Sequence, residues 1–343
     1  MIILFLVLFG IMARTMKVSE GLNCSYLSKK NTQVIKGIFV VIVFMSHVRT
    51  YAAYTTISDQ FVISILNYLG QLMVTMFLFC SGYGIYESIK KKGEEYISLL
   101  PKNRIGKTYL DFSISVLLFM ILNVIIRQKY SISTILLSFV GWESIGNSAW
   151  YMFAIFTLYI ISYVSFKIFK NKHFFALVCV SVCSLIYVYI MSQVKENYWS
   201  DTYLCFAFGM WYSYFAKWIN KMIEKSKPYH YYMLTTLIAI TYWILSQYRY
   251  RRIMAYNIAS IAFCLLLIAL MMKISFESKF LSWCGENLFW IYILQRIPML
   301  FFQYVGLNQF NKYLYLYVCV LATGILTVGV AKFSNNLKQK IWK

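Results

Sequence analysis

The sequence predicts an all-α polytopic membrane protein: a bundle of about ten spanning helices, or eleven if the short apolar stretch Met1–Ala13 also crosses. Three observations carry this. The 343 residues are 60% hydrophobic and only 13% charged, about half the charge of a soluble domain. Apolar runs of about 20 residues, enough to cross a bilayer, recur along the whole chain. The charges fall in short gaps between those runs, and the gaps alternate between strongly and weakly basic.

Taken in order, the runs lie near 34–54, 62–86, 105–126, 149–166, 173–192, 202–216, 230–247, 254–272, 287–305 and 313–331. The gaps 14–33, 87–104, 167–172, 217–229, 273–286 and 332–343 hold twenty-two Lys and Arg residues, and the other gaps hold seven. Cytoplasmic loops carry the excess of positive charge, so the first set, and the C-terminus with it, is expected in the cytosol. The net charge of +21 therefore reads as a topology signal rather than a nucleic-acid footprint. Met1–Ala13 lacks the basic start of a secretory signal peptide. Ser131–Val140 is apolar but too short to span, and reads as an interfacial helix. The chain divides into an N-terminal hydrophobic segment and basic loop (1–33), one membrane domain (34–332) and a basic tail (333–343). Eight cysteines are scattered without a CxxC pair; Cys179 and Cys183, four apart on one apolar run, read as packing. Neither a zinc site nor a disulfide framework is indicated.

His47 is the residue that calls for chemistry. It lies inside the apolar run Val34–Tyr54, where an ionisable side chain is costly and is usually kept for function. Lys36 stands eleven residues earlier. Eleven steps make about three helical turns, which puts both side chains on one face, roughly 16 Å apart along the axis. Lys36 then lies near the cytoplasmic surface and His47 toward the outer half.

Four further patterns accompany this pair: Met76–Ile85, where Cys80, Ser81 and Gly82 interrupt an apolar helix; Arg104-Ile105-Gly106-Lys107-Thr108-Tyr109 at a span start; Asn147-Ser148-Ala149-Trp150-Tyr151-Met152 at another; and Gly285-Glu286-Asn287 with Ile291-Tyr292-Ile293-Leu294-Gln295-Arg296. In this order, from about Asn31 to Lys332, they resemble the membrane acyltransferase-3 family, which O-acylates bacterial surface glycans. Lys36 and His47 are similar to the family's Arg-x10-His, Phe77–Tyr83 to its Phe-Phe-x-x-Ser-Gly-Tyr/Phe stretch, Arg104, Ile105 and Tyr109 to its Arg-Ile-x-Pro-x-Tyr segment, and Trp150-Tyr151-Met152 to its Trp-Phe-Leu. Lysine at position 36 keeps the cation but loses the guanidinium fork. Pro101 stands at the family's first loop arginine, with Lys102 beside it, Lys107 stands at its proline, and Gln295 at its late histidine.

The resemblance implies a bacterial plasma-membrane enzyme for capsule or surface-polysaccharide O-acetylation. The donor it implies is acetyl-CoA, with no bound cofactor expected. The acceptor is a polysaccharide or lipid-linked glycan, and the remaining partners are membrane lipids, not nucleic acid. His47 is then the catalytic base or acyl carrier, with Lys36 as the second catalytic residue. Histidine supplies a base of near-neutral pKa. Lys102, Arg104, Lys107 and Tyr109 are expected to hold the polyanionic donor; Ser81, Trp150 and Gln295 are expected to line the site.

Plainer roles compete. Ser81 and Gly82 also suit close helix approach, and Trp150 an interfacial belt. Arg296, placed toward the cytoplasmic half, is expected to pair with Glu286. His173 and His230 read as helix-start residues, and Arg249, Arg251 and Arg252 as headgroup contacts. A glycan exporter or flippase of the same architecture is the alternative function. An ion-coupled transporter would need carboxylates within spans, for which Asp111 and Glu87 are the candidates.

Overall fold

The computed structural model describes all residues except Cys24, Ser226 and Lys343; the eighth cysteine and the last charge of the basic tail thus lie outside the described residues. The chain begins with α1 (Ile2–Thr15), whose C-terminal end leads into β1 (Met16–Val18). α2 (Lys29–Val48) follows, started by Ser28, whose side chain accepts from the Asn31 N–H and so satisfies one of the orphan donors of a helix start. The stretch read as one span at 62–86 is broken. Its first part belongs to α3 (Ile57–Leu69), and α4 (Thr75–Leu100) starts anew. Gly70 makes the break with φ of 48°, a conformation that favours glycine, and the hydroxyls of Tyr256 and Tyr250 close the space a Cβ would occupy. A wide π-helical turn, Pro101–Gly106, leads to α5 (Lys107–Ile125), and α6 (Ile132–Ser138) forms in the interfacial stretch.

Next come α7 (Ala149–Phe169), α8 (His173–Val194), α9 (Leu204–Lys225), α10 (Pro228–Tyr248) and α11 (Ile253–Met271). Proline opens α10, where its missing N–H costs nothing. β2 (Ile274–Phe276) then pairs antiparallel with β1, Met16 opposite Phe276. The run expected at 287–305 starts earlier and is segmented into α12 (Lys279–Glu286), α13 (Leu288–Leu294) and α14 (Arg296–Tyr304). α15 (Leu307–Phe310) and α16 (Lys312–Ile341) complete the chain.

Among the described residues, six helical segments are long and apolar enough to cross a membrane, fewer than the ten read from the sequence. One of the six, 57–125, contains three helices. The remainder differ for physical reasons: α9 carries lysines, α10 is rich in Tyr, and α12–α14 are each short.

The packing that positions the site is the pair formed by α2 with α12–α13. They run side by side in the same direction. Lys30 pairs with Glu277 at the strand end, and His47 meets Tyr292 at the other. Between them the helices touch backbone to backbone. A Cβ on Gly37 would lie 1.8 Å from the Leu281 carbonyl oxygen, and one on Gly285 would lie 1.8 Å from that of Gln33. α4 and α9 cross in the same way at Gly82 and Gly209, against the carbonyls of Phe206 and Phe79. Small residues at helix crossings permit this approach.

Candidate active site

α2 ends at His47-Val48, and Thr50 closes the turn by donating its hydroxyl to the His47 carbonyl at 2.7 Å. The imidazole faces Tyr292 of α13, ring centroids 6.3 Å apart, and Tyr292 in turn meets Tyr151 of α7 at 5.3 Å. Trp150 packs on Tyr151 at 5.7 Å and on Tyr198 at 5.8 Å. Ser148 borders Tyr292. Arg296 and Arg49 lie within electrostatic reach of the His47 ring.

On these residues and their immediate chain neighbours, five buried polar atoms have no hydrogen-bond partner among the described residues: His47 Nδ1, Asn147 Nδ2, Ser148 Oγ, Gln295 Oε1 and Arg296 Nε. Buried polar groups are nearly always paired, which makes these residues the candidate site. The loop before α7 sets two of them. Gly146 has φ of 108°, and the Asn147 carboxamide oxygen accepts from the Ile145 N–H. The amide nitrogen is left free. Gln295 is fully buried and donates only to the Tyr292 carbonyl, at 2.9 Å.

Toward the strand end, Lys36 is half-buried. No ion pair or hydrogen bond engages its ammonium among the described residues, and it lies in electrostatic reach of Cys80. The neighbouring Ser81 bonds the Tyr159 hydroxyl at 3.1 Å. Tyr159 lies within electrostatic reach of both Arg104 and Tyr151. Arg104 donates Nε–H to the Tyr96 hydroxyl at 3.0 Å. Lys102 is exposed and Lys107 half-buried on the same turn. A row of polar and aromatic groups therefore runs from Arg104 through Tyr159 and Ser81, then Tyr151 and Tyr292, to His47. Tyr109 stands apart from it, exposed, with its ring 6.0 Å from Phe156.

Of the residues singled out from sequence, His47, Trp150 and Gln295 come together around Tyr292, Trp150 through Tyr151. Ser81 and Arg104 come together through Tyr159, with Lys36 close by. Tyr292, Ser148 and Arg296 were missed as site residues, although all three lie in the quoted motifs; the signal was a polar side chain in an apolar run.

Two expectations, on Arg296 and Arg249, are corrected. Arg296 does not pair with Glu286, which is exposed; it stands level with His47, far from the strand end, because the helix begins at Lys279 rather than 287. Arg249 is not a headgroup contact. It is buried and donates to the Tyr68 carbonyl and the Tyr250 hydroxyl, with its guanidinium 4.7 Å from both ring centroids. Asp111 is occupied by Lys338 and Ser334, and Glu87 by Lys90 and Ser213, so both carboxylates join helices. His173 starts α8 as expected, but its Nδ1 is held by the Tyr86 hydroxyl at 3.0 Å. The seven described cysteines are free.

Comparison with curated proteins and with solved structures returns no match. Comparison with protein families returns the acyltransferase domain of the acyltransferase-3 type over residues 31–331. That span takes in α2, the basic turn, the α7 motif and the segmented α12–α14 alike. The chain therefore belongs to the acyltransferase-3 family.

Proposed function

We propose that this membrane acyltransferase is an O-acetyltransferase of the bacterial plasma membrane. It moves acetyl from cytosolic acetyl-CoA to a hydroxyl of a cell-surface or capsular polysaccharide, as polymer or lipid-linked unit. The observation that carries this reading is the partnerless His47 Nδ1 at the end of a polar-aromatic row that begins on a cationic rim. By the charge asymmetry of the loops, that rim and the C-terminus lie in the cytosol, and the chain passes the membrane ten or eleven times.

Lys36, Lys102, Arg104 and Lys107 hold the phosphates of the donor, with Tyr109 at the edge of their turn. The thioester arm extends past Ser81 and Tyr151 toward His47. The acceptor oxygen attacks the acetyl carbonyl while His47 takes the hydroxyl proton. The carbon–sulfur bond breaks, the thiolate of coenzyme A leaves, and the ester remains on the sugar. Arg296, within electrostatic reach of His47, stabilises the negative charge that develops on the carbonyl oxygen in this reading, and such fixed charge is often the largest contribution to acyl transfer.

Replacing His47→Ala is expected to remove ester-linked acetate from the polysaccharide, measured by proton NMR of the purified polymer. A general base contributes about 10²–10⁴-fold, so full acetylation in that variant overturns the reading. The same spectrum separates the exporter alternative, since loss of an exporter traps polymer inside the cell whereas loss of an acetyltransferase leaves unacetylated polymer outside.

A further inference from the structure

Directly beyond His47 the chain turns through 49–53, and across from it lie residues 308–313, which run from α15 into the start of α16. Together they line an open cleft of about 810 Å³, within the range of small-ligand sites of roughly 300–1000 Å³. The cleft adjoins the surroundings of His47. Thr50, on its wall, is bonded to the His47 carbonyl. Tyr51, also on its wall, lies in electrostatic reach of Arg296. Asn308 fixes the two sides together by donating to the Tyr51 carbonyl at 2.7 Å.

The lining chemistry is that of carbohydrate recognition. Asn308 Oδ1 is buried and without a partner, an acceptor set for a hydroxyl. Gln309 is exposed beside it. Phe310 is 83% exposed, a flat ring whose electron-rich face attracts the C–H edges of a sugar. The cleft also has a sign. Arg49 and Lys312 line it, and no carboxylate among the described residues does. Arg49 spends Nε on the Ser46 carbonyl and Nη1 on Ile63 and Asn67, leaving Nη2 without a protein partner among the described residues. Lys312 is the first residue of the 30-residue α16, where the helix dipole disfavours a cation. Asn311 already caps that helix start, its Oδ1 accepting from the Tyr313 and Leu314 N–H groups at 3.0 Å, so a ligand anion there would serve the Lys312 ammonium.

We infer that this cleft is the acceptor subsite, and that it selects a saccharide bearing carboxylate or phosphate groups over a neutral one. This rests on the acetyltransferase reading, which it extends to the acceptor class. The test is calorimetric binding to the full-length protein in lipid nanodiscs. The probes are a galacturonic acid trisaccharide, a short glycerol phosphate oligomer and neutral maltotriose. At least one anionic probe is expected to bind tenfold or more tighter than maltotriose at low salt, with the preference shrinking as salt rises; which of the two wins distinguishes a uronate from a phosphate acceptor. Lys312→Gln is expected to erase the preference and Phe310→Ala to weaken all binding at least tenfold. Equal binding of all three probes, or unchanged binding in both variants, overturns the inference.

His47→Ala keeps the two readings apart, because it is expected to bind the anionic probe with unchanged affinity while making no ester. If that variant acylates but the cleft behaves as described, only the catalytic reading falls. If it is inactive and the cleft variants bind and turn over as wild type, only the acceptor assignment falls.

Discussion

At the scale of single residues, His47 and Arg296 form an unusual neighbourhood: a base and a cation within reach of each other, each with a buried nitrogen that no protein atom satisfies. A packing histidine would have a partner, as His173 has in Tyr86. The two roles separate in kinetics. Arg296→Gln is expected to lower kcat about 10²-fold with little change in KM for acetyl-CoA, since it removes charge that matters as the carbonyl oxygen becomes negative. Lys36→Gln is expected to do the reverse, raising KM for acetyl-CoA with kcat nearly kept. Steady-state kinetics on vesicles open to both substrates separates the two, and a raised KM in the Arg296 variant would place that residue on the donor instead. His47 was legible in the sequence because a lone imidazole in an apolar run has few structural excuses. Arg296 was visible but misassigned. Its height in the bundle depends on where its helix begins, and the charges Lys279 and Glu286 hid eight helical residues.

At the scale of elements, His47 owes its position to a glycine contact roughly 15 Å below it, three turns down α2. Gly37 and Gly285 let α2 and α12 meet backbone to backbone, and this fixes how α13 presents Tyr292 to the imidazole. Gly285→Ala must push the helices apart, because its Cβ would fall on the Gln33 carbonyl. Overpacking of this kind costs about 1–3 kcal/mol, so a lower melting temperature and reduced turnover are expected. Gly84→Ala is the control: nothing lies within 4 Å of its Cβ, and it is expected to leave stability unchanged or raise it by up to about 1 kcal/mol. The sequence pointed to Gly82 as a close-approach residue, and its contact with Phe206 bears this out. The equal contact at Gly37 went unread, since nothing in a sequence says which glycines face each other.

A second element carries a pH signature. Asp201, in the turn leading into α9, is 6% exposed, and burial pushes its carboxyl up from 3.8 to about 7, with Arg249 opposing only in part. The folded protein therefore holds a proton there that the unfolded chain has released. Stability is expected to fall as pH rises from about 4 to about 7 and to level off above. Asp201→Asn is expected to flatten that slope and to stabilise the protein at pH 8 by an amount on the order of 2 kcal/mol, read as a higher melting temperature. A variant that melts lower at pH 8 would mean that the Asp201 carboxylate is net stabilising beside Arg249.

Across the whole molecule, the cationic turn with Lys102 and the cleft with Lys312 sit at opposite ends of the helices that join them. Lys17 and Lys30 meet Glu277 at one end, and Asp59 receives the Met1 nitrogen and the Tyr313 hydroxyl at the other. This two-ended layout was the most legible feature of the sequence, because loop charge is counted residue by residue and needs no fold. The number of passes was less legible: Gly70 breaks one run, and α12–α14 make a path of three short helices where the hydropathy shows one. Two-sided transfer requires that donor and acceptor sites open to different compartments. Lys312→Cys is therefore expected to react with a membrane-impermeant maleimide in intact cells, above the background of the native cysteines. Lys102→Cys is expected to react only after permeabilisation. If Lys102→Cys were labelled from outside, the donor turn would face away from the cytosolic pool of acetyl-CoA. The row from Arg104 to His47 could then not deliver an acetyl group outward, however well its geometry suits the chemistry.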